Sequence, residues 1–166
     1  MVRVQTDESG ELTGLVARYA ANAAGQVGTH FTRLSVTRVV GVLVASVETV
    51  PLAAQVRMGS GTISSSLFAA TDEARIPDNV ATQLADVFSA DLDFHRQLRK
   101  GDTFSVVYEA LTADGEPITW GSSAAGRVLA ADFVNNGRSY SAVWFKDAQG
   151  RGGYFGLDGQ SKKRAF

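Results

Sequence analysis

Apolar and polar positions alternate with a period of two in short runs over the first third of the chain. Val2 and Val4 alternate with Arg3 and Gln5, Asp7-Glu8-Ser9-Gly10 offers a turn, and a second run covers Leu12 to Tyr19. Ala20 to Gly28 is small and weakly patterned and reads as a loop. From Thr29 to Arg38, Phe31, Leu34 and Val36 alternate with polar neighbours, with one slip of phase that predicts a bulge. Val42 to Val50 and Ala53 to Met58 continue the β signal, and Pro51 predicts an edge or a bend.

The pattern changes at Ser60-Gly61. Ser64-Ser65-Ser66 supplies N-cap candidates for a short helix reaching about Ala74, with Ile63, Leu67 and Phe68 on one side. A second helix starts at Pro77-Asp78: Val80, Leu84, Val87 and Phe88 share a face, and Thr82, Gln83 and Asp86 are expected to point away. Lys100-Gly101-Asp102 is turn chemistry, after which Phe104, Val106 and Tyr108 alternate with polar or smaller neighbours. Asp114-Gly115 and Asn136-Gly137 predict hairpins, the latter joining Val128–Val134 to Ser139–Phe145, and Tyr154-Phe155 forms a short aromatic strand. The sum is one α+β domain over residues 1–166, a mainly antiparallel sheet with an inserted pair of helices. Strands occupy about 2–58 and 103–166, and helices about 64–90.

Composition narrows the function. With 16 Lys+Arg against 17 Asp+Glu among 166 residues the net charge is −1, which argues against the broad basic field of a nucleic-acid binder. Zero cysteines exclude a disulfide framework, a thiol nucleophile and a cysteine-ligated zinc. The most apolar stretch, Val39 to Val47, is about half of the roughly 20 residues a spanning helix needs, so no membrane segment is read.

Candidate chemistry is sparse. The two histidines, His30 and His95, lie in no H-x-H or H-E-x-x-H pattern, and His30 is expected at the surface where a strand begins. Asp91, Asp93 and His95 have the i, i+2, i+4 spacing that converges on a cation if the segment is extended. The competing reading pairs both aspartates with Arg96, Arg99 or Lys100 next door. No G-x-S-x-G elbow, dinucleotide fingerprint or P-loop occurs, and Gly150-Arg151-Gly152-Gly153 is a charged turn or a phosphate nest. Trp120, Tyr140, Trp144, Phe145, Tyr154 and Phe155 crowd the last third, where aromatics on strands build cores first and stack on sugars second. On its residues alone, the chain offers no catalytic centre.

Four stretches in order carry a resemblance: Gly61–Ala70 (GTISSSLFAA), Phe94–Glu109 (FHRQLRKGDTFSVVYE), Gly126–Asn135 (GRVLAADFVN) and Tyr154–Phe166 (YFGLDGQSKKRAF). Together they resemble the region just before the catalytic domain of bacterial LytM/lysostaphin-type zinc endopeptidases, which cut peptide cross-links in peptidoglycan. The resemblance implies a periplasmic or cell-envelope location. It also implies a peptidase domain following Phe166, with zinc ligands in H-x-x-x-D and H-x-H motifs, and a membrane anchor and LysM-like module upstream. Neither zinc motif occurs in this sequence, so no catalytic residue, metal ligand or cofactor is carried over, and zinc is expected only in the peptidase domain. This chain is therefore read as a non-catalytic accessory domain that positions or restrains a peptidase domain in cis, with Tyr154, Phe155 and Phe166 as candidate interface residues. For Tyr154 and Phe155 the alternative is closure of the domain's own core. The competing function is a peptidoglycan-binding module that uses aromatic and polar strand faces. A third is a free-standing enzyme built on Asp91, Asp93 and His95.

Overall fold

The computed structural model describes residues 1–94, 96–120 and 125–162. Among the described residues, ten strands and two helices follow one another: β1 (Val2–Thr6), β2 (Leu12–Ala20), β3 (His30–Val39), β4 (Val42–Pro51), β5 (Ala53–Thr62), α1 (Leu67–Glu73), α2 (Asp78–Val87), β6 (Thr103–Ala113), β7 (Glu116–Pro117), β8 (Ala125–Asn135), β9 (Arg138–Lys146) and β10 (Gly152–Phe155). The α+β architecture expected from the periodicity is the one found. The chain forms two compact units, one of Met1–Ala54 with Leu111–Gly121, the other of Gln55–Ala110 with Ser122–Phe166.

The first unit is an antiparallel sheet in the order β1-β2-β3-β4. Its register separates two faces of opposite character. On one face Arg3, Arg18 and Arg33 form ion pairs with the hairpin between β6 and β7: Arg3 with Glu116, Arg18 with Asp114 at 2.5 Å, and Arg33 with Asp114 at 2.7 Å. Arg18 and Arg33 lie directly opposite each other on neighbouring strands, so Asp114 offsets a like-charge pair that would otherwise repel. Phe31, also on this face, is fully buried, as are Thr112, Ala113 and Ile118. The other face carries Val4, Leu15, Leu34, Val36 and Val47, with Val4 and Val47 more than half exposed.

The predicted bulge in β3 is absent, since its pairing to β2 and β4 runs without a shift from Phe31 to Thr37. The slip in hydrophobic phase has another cause: Phe31 enters the covered face, whereas Leu34 and Val36 belong to the opposite one. Bulges fall instead at Gln5/Thr6 and on either side of Tyr108.

The second unit is a sheet in the order β10-β9-β8-β6-β5 with both helices on one face. Ser66 caps α1 by accepting from the Ala69 amide at 3.1 Å, and α2 buries Val80, Ala81, Leu84 and Val87. They meet Phe104, Val106, Tyr108, Val128 and Phe133 from the sheet. Gln83 does not point to solvent as its helical phase predicts. Its amide donates to the Gly126 carbonyl at 2.8 Å, and its carbonyl accepts from the Val128 amide at 2.9 Å, tying α2 to β8. A Cβ on Gly61 would stand 2.7 Å from the Phe104 ring, so glycine is what lets the end of β5 pass against it.

Asp102 closes the turn before β6. It is 5% exposed and accepts from the Arg99 amide at 2.7 Å, the Asn135 side chain at 2.6 Å and the Asn136 amide at 3.0 Å. Burial opposes its ionisation, but these three bonds and the Arg99 charge outweigh it and hold the carboxyl below its ordinary range. The same turn is stitched to the end of β5 by paired backbone bonds between Ile63 and residues 101–102.

Candidate functional site

Neighbouring residues of a strand face opposite sides, and β10 uses this to divide Tyr154 from Phe155. Tyr154 pairs with Trp144, on the helix-covered face, and Phe155 pairs with Val143, on the open one. The Tyr154 hydroxyl donates to the Val128 carbonyl at 2.9 Å, and burial raises its pKa. Its ring meets Trp144 edge-on at 5.1 Å, while the Arg127 guanidinium lies 4.0 Å from the Trp144 ring centre. Tyr154 thus packs against the unit's own core.

Phe155 lines a groove of about 760 Å³ on the opposite face, with Val143, Phe145 and Leu157. Phe145 and Phe155 meet edge-on at 6.3 Å, and Phe145 and Leu157 are 61% and 81% exposed. This large apolar surface in water is the property a partner would use. Asp147 and Arg151 close one end, paired at 2.9 Å. The backbone amide of Arg151 and the Arg151 and Gln149 bonds hold Asp147 ionised below its ordinary range. Arg151, the charge of the suspected phosphate nest, is therefore engaged with Asp147. Away from the groove the open face turns polar, with Thr103 and Ser105 on β6, Asp132 on β8 and Ser139 and Ser141 on β9.

The chain leaves β10 through a turn and comes back beside it. Phe155 bridges to Ser161, and the Lys162 amide donates to the Tyr154 carbonyl at 2.8 Å. Lys162 then reaches Asp91 at 2.8 Å, with its ammonium 5.8 Å from the Phe88 ring. Asp91 therefore pairs with a residue 71 positions away, and not with the neighbouring basic residues. Asp93 does face the adjacent Arg96, at 3.8 Å. His95 and Phe166 lie outside the described residues. His30 opens β3, half-buried, its Nδ1 2.9 Å from the Thr29 hydroxyl.

Among the described residues no three His, Cys, Asp or Glu side chains come together as a metal would require, and Asp91 is committed to an ammonium. Nor, among the described residues, is any helix long and apolar enough to cross a membrane.

What the second unit presents is a helix-backed sheet with an apolar groove at its edge. The crystal structure of a zinc-containing peptidase from Vibrio cholerae aligns over 99% of this chain and 45% of its own, with a TM-score of 0.53 and 18% identity. Helicobacter pylori Csd3 in its orthorhombic crystal form aligns over 93% of this chain and 38% of its own, with a TM-score of 0.48 and 14% identity. At the level of sequence, the chain is similar to the peptidoglycan DD-endopeptidase ShyC of Vibrio cholerae serotype O1, at 29% identity over 112 residues. That match spans 68% of this chain but only 24% of ShyC. The resemblance carried by the four sequence stretches holds in these comparisons. No protein-family profile matches the chain.

Proposed function

We propose that this chain is a non-catalytic accessory domain of a peptidoglycan endopeptidase of the cell envelope, holding a zinc peptidase domain of the same polypeptide through the Phe155 groove. The observation that carries the reading is the similarity to ShyC, confined to about a quarter of that enzyme. The groove supplies a physical means. Val143, Phe145, Phe155 and Leu157 form the kind of apolar, aromatic-centred patch that anchors an interface. Whether the contact restrains or supports catalysis then depends on which face of the peptidase it covers.

A second reading, a wall-binding module, draws on the polar serines and threonine of the open face beside the exposed Phe145. Incubation with insoluble peptidoglycan separates the two. The purified chain is expected in the flow-through, and titration with a LytM-type peptidase domain should give saturable binding that Phe155→Ser weakens at least tenfold. Retention on peptidoglycan with no peptidase binding favours the second reading. Peptidoglycan cleavage, or one equivalent of zinc bound by this chain alone, overturns both.

A further inference from the structure

The first unit's sheet leaves a whole face open. Because Cα partners across an antiparallel pair share a face, the register gathers Val4 of β1, Leu15 and Tyr19 of β2, Val36 of β3, and Leu43 and Val47 of β4 on one side. Val4, Tyr19, Leu43 and Val47 are 55%, 46%, 46% and 64% exposed. The charge on this face is Arg38, at one corner, held by the Leu12 carbonyl at 3.0 Å and by Glu11 at 3.4 Å. The other basic side chains of the sheet, Arg3, Arg18 and Arg33, are on the opposite face in ion pairs.

We propose that this face is the interface of a reversible homodimer, in which two copies pack their four-stranded sheets against each other as a sandwich. Area and charge single out a second copy. Four strands about 4.8 Å apart and about 25 Å long offer roughly 500 Å² per copy, so a pair buries about 1,000 Å², the lower bound of specific association. That size fits a concentration-dependent dimer and not an obligate one. A twisted sheet whose apolar face carries its charge only at one corner, where Arg38 is paired with Glu11, is complementary to itself across a two-fold axis, where aligned sheets pack about 10 Å apart. An anionic lipid surface would need several free basic residues at the rim, whereas Arg38 is paired with Glu11 and Arg3, Arg18 and Arg33 are on the other face.

Sedimentation equilibrium of the intact chain from about 1 µM to 1 mM tests the proposal. A monomer–dimer equilibrium is expected, and Val4→Lys and Val47→Lys should each raise the dissociation constant at least tenfold. Val40→Lys, at the more exposed valine of the β3–β4 turn away from the face, should leave it unchanged, and far-UV circular dichroism checks that all three variants fold. Val4 is on β1, at the far side of the sheet from the open edge of β4. A dimer lost in Val47→Lys but kept in Val4→Lys would therefore be an edge-to-edge pairing through β4 and would overturn the face-to-face sandwich. A chain that stays monomeric throughout the range would overturn it as well.

Discussion

Val40 sits at φ 48° with 98% of its surface in water, at the first central position of the β3–β4 turn, and Gly41 follows at φ 78°. Asn136-Gly137 makes the same turn at 48° and 78°, and Asp114-Gly115 at 51° and 79°. Two of these hairpins use a residue suited to the left-handed region, and one uses a β-branched residue that is strained there. Val40→Asn should therefore stabilise the chain by about 0.5–1.5 kcal/mol in urea denaturation. Asp102 is the opposite case, a buried carboxylate with three well-formed bonds. In Asp102→Asn the new NH2 would face either the Arg99 amide and the Asn135 side chain together or, flipped, the Asn136 amide, and the expected cost at pH 7 is about 1–3 kcal/mol. Because the folded carboxyl is held below its ordinary range, its contribution is complete above the unfolded pKa of about 3.9 and is lost as pH falls through the folded value. The stabilities of the two proteins should accordingly converge as pH falls below about 4, and a constant gap would show that Asp102 does not carry the acid sensitivity.

At the scale of elements, what the sequence reveals is whatever depends on local period and turn chemistry. The stripe of Val80, Leu84, Val87 and Phe88 marks α2, and Asn136-Gly137 marks the β8–β9 hairpin, because both signals act over a few residues. Gln83 escapes that logic, since a polar residue beside an apolar stripe reads as solvated until β8 supplies two backbone partners for it. The phase slip at Phe31 reads as a bulge until the sheet is seen to use both of its faces. The partner of Asp91 stands 71 residues away, beyond any local pattern. Tyr154 and Phe155 are legible as an aromatic pair, but only their pairing to Trp144 and Val143 decides which faces the core and which the groove. Gly61 belongs to this scale too: in Gly61→Ala the new methyl meets the Phe104 ring and the Ala70 carbonyl oxygen, and neither yields freely. A loss of about 1–3 kcal/mol is expected from thermal denaturation, with Gly10→Ala as a turn control strained at φ 83° but meeting no neighbour.

Across the whole molecule the strands differ in how well they are held. In the second unit β8 is flanked by β6 and β9, receives Gln83 from the helix above it, and takes the Tyr154 hydroxyl on its Val128 carbonyl. In the first unit β1 is a five-residue edge strand, exposed along its whole length and paired to β2 alone. Local opening therefore costs little at β1, and at β8 it approaches the cost of unfolding the unit. In native-state hydrogen exchange the amides of Ala130–Val134 should persist longest, and those of β1 should be replaced by deuterium orders of magnitude sooner. The same hierarchy sets proteolytic vulnerability, so a protease should trim the chain first from its N-terminal strand and leave the β8–β9 hairpin intact.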